Sequence, residues 1–157
     1  MSSKLIVPLE ILAHGEGLEI PAYATEESAG MDLRAAISES VYLKPGARVL
    51  IPCGFSMKLP SGHEAQIRAR SGLALNYGIA ILNAPGTIDA DYTGEIKAIL
   101  INHGDKIFEI TRGMRVAQLI ISPVLRAELA IMPSLKELTE YESNKRKEGG
   151  FGSTGLT

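Results

Sequence analysis

The sequence predicts an all-β protein, a sandwich, jelly roll or barrel carrying one short helix and a flexible C-terminal tail. Three observations lead there. Residues His63 to Arg70 alternate, with Ala65, Ile67 and Ala69 on one face and Gln66, Arg68 and Arg70 on the other. That is the period-2 pattern of a half-buried strand. Short apolar runs recur along the chain between turn signals, the spacing of sandwiches and barrels. Helical periodicity is scarce.

Taken in order, the apolar runs cover residues 5–12, 48–59, 79–82, 96–101, 107–110 and 116–121. The second is rich in β-branched residues around Pro52-Cys53-Gly54. Turn signals fall between them at Lys44-Pro45-Gly46, Pro60-Ser61-Gly62, Ala84-Pro85-Gly86, His103-Gly104-Asp105 and Arg112-Gly113. The one helical candidate runs from Ser71 to Gly78, with Ser71 as its N-cap and Gly78 near its end. Ser134 and Glu137 have capping-box spacing, but residues 133–140 leave room for only a turn or two. No internal repeat occurs. Near Glu140 the composition turns charged and then glycine-rich, so we expect a β domain over residues 1–140 and a mobile arm over 141–157.

Composition excludes several classes. At 157 residues one domain is the expectation. Sixteen Lys and Arg against 18 Asp and Glu give a net charge of −2, without the basic excess of a non-specific nucleic-acid binder. A single cysteine, Cys53, excludes an internal disulfide framework and a Cys-rich zinc site, and points to a reducing cytoplasm. Cys53 itself reads as a buried core thiol. Pro8 and Glu10 interrupt the apolar N-terminus, which argues against a signal peptide. No run approaches the ~20 apolar residues of a membrane span.

Several segments hold residue types that carry chemistry. Gly150-Phe-Gly152-Ser-Thr-Gly155 satisfies G-x-G-x-x-G, but the chain ends two residues later, leaving no helix or acidic partner for a dinucleotide site. Phe151 is instead an aromatic in a polar tail, suited to folding over a flat ligand such as a base, with Arg146 and Lys147 near enough to meet an anion. Arg70-Ser71-Gly72 sits where a strand hands over to a helix start, a place that favours phosphate; an ordinary capped turn explains it equally well. Asn83 to Glu95 gathers Asn83, Gly86, Asp89, Asp91 and Tyr92. If extended, it points both carboxylates the same way, as a metal pair or a base with its support; an acidic hairpin is the plain alternative. Ala29 to Ala35 sets Asp32 among small and apolar residues, and Gly113 to Gln118 sets an amide amid apolar β-sequence. Core or edge-strand packing accounts for each alone. His14, His63 and His103 show no metal-ligand spacing.

Together and in this order, five segments resemble the five motifs of the trimeric dUTPases: AGMDLRA (29–35), RARSGLA (68–74), NAPGTIDADYTGE (83–95), GMRVAQLI (113–120) and RKEGGFGSTG (146–155). The resemblance spans residues 29–155. Departures from the family pattern are Ala69 in place of the usual Pro, Lys147 in place of Gly, and Asn144 in place of Thr.

The resemblance implies a jelly-roll subunit of a homotrimer with sites at subunit interfaces. It implies hydrolysis of dUTP to dUMP and pyrophosphate with Mg2+ on the triphosphate, which keeps uracil out of DNA and supplies dUMP for dTMP synthesis. By the match, Asp89 is the general base, and Asp32 supports the metal through water. Arg70, Ser71, Gly72 and Gln118 hold phosphates. Asn83, with Gly86, Thr87 and Ile88, reads uracil, Tyr92 packs on the deoxyribose, and Lys97 joins the substrate-binding set. From the tail, Arg146 pairs with the terminal phosphate, while Phe151 and Gly152 cover the base. Stable nucleic-acid binding and membrane attachment are not expected. Two alternatives remain beside this: a dCTP deaminase of the same superfamily, whose third motif lacks the Asp-x-Asp-Tyr pattern, and a non-catalytic trimeric nucleotide-binding module.

Overall fold

The computed structural model describes residues 4–134. Ten strands follow in order: β1 Leu9–Ile11, β2 Met31–Arg34, β3 Val41–Leu43, β4 Arg48–Met57, β5 His63–Arg68, β6 Ile79–Ile81, β7 Gly86–Ile88, β8 Glu95–Asn102, β9 Phe108–Ile110 and β10 Arg115–Pro123. One helix, α1 Ser71–Tyr77, and a 3-10 turn at Ala13–Gly15 complete the set. The strands form two four-stranded antiparallel sheets, ordered β1-β4-β8-β6 and β2-β10-β5-β7, and a two-stranded ribbon β3-β9. This is the jelly-roll-like all-β architecture that the sequence predicts.

Alternation builds the core. Along β5, Ala65 and Ile67 are buried while Arg68 is exposed. Along β8, Ile96, Ala98, Leu100 and Asn102 point inward. With Leu33, Ile51, Ile110 and Leu119 from the other strands, Ile96, Ala98 and Leu100 belong to one apolar cluster drawn from both sheets and the ribbon. Among the described residues Asn102 is the one buried polar residue, and its amide is fully used. It donates to the Leu43 and Lys106 carbonyls at 2.9 and 2.8 Å and accepts the Gly104 N–H at 2.8 Å. A buried amide left without such bonds costs roughly 1–3 kcal/mol per group.

Several elements differ from expectation. The first apolar run yields only the exposed three-residue edge strand β1, because Pro8 has no N–H for the ladder. β4 runs through Pro52-Cys53-Gly54 by means of a bulge: its register against β8 shifts between Pro52 and Ser56, with Gly54 at φ +75°. The short strands β3 and β7 lie outside the apolar runs. In α1, Arg70 rather than Ser71 is the N-cap, and no side chain caps the helix. The extended strand backbone reaches Arg70 before turning, so Ser71 is already helical. Gly78 ends the helix as expected, in the left-handed region at φ +69°.

Cys53 is buried, and burial pushes its thiol up to about 12. At neutral pH the reactive thiolate is therefore scarce. The folded protein should resist a thiol reagent such as iodoacetamide and react once denatured, as intact mass before and after urea will report. Among the described residues no helix is long and apolar enough to cross a membrane.

Candidate active site

The sheets bring the expected residues together in two groups. The first lines a cavity of about 320 Å3 whose walls draw on β4 to β8. Leu50, Ile67, Ile81, Ile96 and Ile99 form its apolar part. Asn83, Gly86, Thr87, Ile88, Asp89, Tyr92 and Lys97, all foreseen, complete it together with Glu95. A flat apolar wall with a few converging polar groups is the usual build of a small-molecule site.

The stretch carrying Asp89 is a turn and not the extended segment that alignment of both carboxylates needs. The Tyr92 N–H donates to the Asp89 carbonyl at 3.2 Å. Asp89 lines the cavity and Asp91 does not. The Tyr92 hydroxyl donates to the Glu95 carbonyl at 2.9 Å. Gly94 leaves room for that hydroxyl, since a Cβ there would lie 2.5 Å from it. Lys58 donates to the Ala90 carbonyl at 2.9 Å and ties the turn to the end of β4.

The second group sits on the β2, β10 and β5 side of the β2-β10-β5-β7 sheet. β10 lies between β2 and β5, and its register sets Gln118 opposite both Asp32 and Arg68. Asp32 is held by two guanidiniums, Arg70 Nε at 2.8 Å and Arg115 Nη1 at 3.3 Å. Arg70 also donates to the Arg115 carbonyl at 3.2 Å. Gln118 Nε2 donates to the Ala69 carbonyl at 2.8 Å, fixing the strand end that precedes Arg70. A Cβ on Gly30 would stand 2.4 Å from Gln118 Oε1, so a larger residue there would push the Gln118 amide aside. Ser71 and Gly72 are exposed at the start of α1. None of Asp32, Arg70, Ser71, Gly72 or Gln118 lines the cavity. Arg146, Phe151 and Gly152 fall outside the described residues.

Sequence reading passed over three contributors: Arg115, Glu95 and His14. Arg115 stood within a quoted motif, where its charge was the available signal. Glu95 closes another, at the start of β8. His14 is 81 residues from Glu95, yet its Nε2 lies 2.5 Å from Glu95 Oε1. With the carboxylate ionised, only a protonated Nε2 satisfies that contact. Burial alone would raise the Glu95 carboxyl. The hydrogen bonds from His14 and the Gly54 N–H, with the His14 and Lys97 contacts, outweigh it and hold the group below its ordinary value of 4.5. A carboxyl lowered on folding stabilises above its unfolded value, and the contribution is lost as pH falls through the folded one. The stability gap between the parent and Glu95→Gln, read by urea unfolding, should therefore narrow as pH drops below 4.5.

The jelly-roll-like sandwich holds a cavity in which two carboxylates, Asp89 and Glu95, stand among amide, hydroxyl and ammonium groups, the build of a β-sandwich small-molecule-binding protein. The family model described as dUTPase matches residues 16–155, and the chain belongs to the dUTPase family. It is 56% identical over 147 residues to a deoxyuridine 5'-triphosphate nucleotidohydrolase of Rhizobium rhizogenes, covering 92% of this chain and 90% of that protein. It is 55% identical over 159 residues to the protein of the same name from Bartonella quintana, covering 98% and 86%. Among solved structures, the dUTPase of Staphylococcus bacteriophage 80alpha with dUPNHPP superposes with a TM-score of 0.77 at 26% identity, covering 96% of this chain and 99% of that one. A mutant of that phage enzyme with dUpNHpp reaches a TM-score of 0.79 at 24% identity over 96% and 99%, which speaks to the fold.

Proposed function

We propose that the protein hydrolyses dUTP to dUMP and pyrophosphate. The observation that carries this is the cavity itself, which unites Asp89 with Asn83, Thr87, Tyr92 and Lys97 on an apolar wall. Asp89 takes a proton from water, whose oxygen attacks the α-phosphorus. The bond from that phosphorus to the α,β-bridging oxygen breaks, and pyrophosphate leaves in line with the attack. Asn83 and the backbone of Gly86, Thr87 and Ile88 read the uracil edge. Tyr92 lies against the deoxyribose. Lys97 adds a cation to the wall. Arg70 and Gln118, with Ser71 and Gly72 at the helix start, bind phosphate oxygens, since free N–H groups and guanidiniums match that charge.

The two groups occupy separate places in one chain, which favours sites completed between subunits of a homotrimer. The arm over 141–157 would close over the nucleotide, with Arg146 on the terminal phosphate and Phe151 and Gly152 over the base. One free thiol fits a reducing cytoplasm.

Among the described residues no three His, Cys, Asp or Glu side chains cluster as a metal cage. Asp32 offers one carboxylate, already engaged by Arg70 and Arg115. That donor set fits Mg2+ brought in on the triphosphate and reached by Asp32 through water. When bound, the ion neutralises charge on the phosphate oxygens. Removing dUTP from the pool keeps uracil out of DNA, and the product dUMP feeds dTMP synthesis.

The test is pyrophosphate release from dUTP, the four common dNTPs and UTP, with and without Mg2+. Release confined to dUTP supports the reading; ammonia from dCTP would replace it with deamination, and binding without turnover with a non-catalytic module. Tyr92 supplies a further expectation. A flat ring against the sugar leaves no room for a 2′-hydroxyl, so dUTP should be strongly preferred over UTP and Tyr92→Ala should relax the preference. Equal kcat/KM for the two nucleotides in the parent removes this role from Tyr92.

A further inference from the structure

Four contacts converge on Glu95. Its carboxylate accepts hydrogen bonds from His14 Nε2 at 2.5 Å and from the Gly54 N–H at 3.1 Å, and it meets Lys97 Nζ at 3.4 Å. Its main-chain carbonyl accepts the Tyr92 hydroxyl at 2.9 Å. The side chain is only 14% exposed, yet it lines the cavity. Withdrawing a carboxylate from water is costly unless its partners are fixed.

The chain goes to some length to fix them. The β4 bulge aims the Gly54 N–H at Glu95. Gly15 lies so close to Gly54 that a Cβ on it would fall 2.0 Å from the Gly54 carbonyl oxygen. That contact seats the 3-10 turn against the bulge. Arg112 holds the turn from outside, donating to the His14 and Glu16 carbonyls at 2.8 and 2.9 Å. The imidazole is thereby delivered to a carboxylate that in turn meets Lys97, while the same residue's carbonyl fixes Tyr92.

We propose that Glu95, backed by His14, is a positioning residue for substrate: it holds the Lys97 ammonium and the Tyr92 phenol at the cavity wall and so sets affinity, not the chemical step. This rests on the function proposed above. Because Glu95 acts through groups that bind the nucleotide in both ground and transition states, its loss registers in KM.

The experiment uses the full chain and measures kcat, KM and the Kd of the non-hydrolysable α,β-imido analogue of dUTP. Glu95→Gln keeps an acceptor for Gly54 and His14 and removes only the charge that holds Lys97. KM and analogue Kd are expected to rise about tenfold, the scale of a lost hydrogen bond to a charged group, with kcat within about twofold. In a Lys97→Ala background the same change should add little, since coupled residues are not additive. His14→Ala should give a smaller rise and His14→Gln, which retains a donor, should restore the parent value; this pair carries the test if Glu95→Gln does not fold. An unchanged KM, a loss confined to kcat, or equal effects with and without Lys97 overturns the inference and leaves the proposed function standing. A parent protein that releases no pyrophosphate from dUTP overturns both.

Discussion

Asp89→Asn is expected to lower dUTP turnover by about 10²-fold or more, the scale of a lost general base, while nucleotide binding persists. The substitution keeps the size of the side chain and removes its proton acceptor. The local fold has no reason to change. The turn that presents Asp89 closes through its main-chain carbonyl, which accepts the Tyr92 N–H, and Lys58 braces it through the carbonyl of Ala90. Among the described residues the Asp89 carboxylate makes no hydrogen bond or ion pair that asparagine would disturb. Asp91→Asn is the internal control. Asp91 lies two positions on but outside the cavity, and its loss should matter far less. Steady-state kcat beside analogue binding separates the outcomes. Normal turnover by Asp89→Asn assigns the proton transfer to another group.

Deleting residues 143–157 should abolish most activity and leave thermal stability and oligomeric state nearly unchanged. The argument is one of composition against core. Phe151 and Leu156 are the only large apolar side chains in that stretch. The core formed by the sheets and ribbon is already closed by residues up to Leu119. Little apolar burial is therefore at stake, whereas Arg146 brings a guanidinium that the cavity wall lacks and Phe151 a second aromatic face beside that of Tyr92. Closing them over the nucleotide would exclude bulk water from the reacting phosphorus. Phe151→Ala should show a milder form of the loss. Phe151→Trp should give fluorescence that responds to nucleotide, because the chain has no other tryptophan. Truncated protein that works at the full rate rules out closure, and truncated protein that fails to assemble makes the arm structural.

Local chemistry accounts for what was legible in advance. β5 repeats every second residue with one face buried, so its pattern survives folding, while β8 and β10 were marked by their apolar runs. Gly78 marks the helix end because it takes a left-handed conformation that costs glycine nothing. β3 and β7, like β6 and β9, have three residues, too few to show a period; β6 and β9 showed only as parts of longer apolar runs, and β7 opens with glycine. Ser71 has the chemistry of a cap, but the cap falls where the extended backbone ends, and that is Arg70, one residue earlier.

The sequence by itself determined an all-β fold, a sandwich, jelly roll or barrel, and, through five motifs in order, a resemblance to the dUTPase family. It also named seven of the residues that line the cavity. Tertiary structure alone decided how the rest combine. His14 reaches Glu95 across 81 positions, and Arg115 reaches Asp32 across 83. The first contact needs the bulge at Gly54 and the second needs the β2–β10 register. Strand pairing likewise gathers Asn83, Asp89, Tyr92 and Lys97 around one cavity, and Asp32, Arg70 and Gln118 where β2, β10 and β5 run side by side. Neither a bulge nor a register is a property of neighbouring residues: each is set when two distant strands pair and bury a shared face, which no local period encodes.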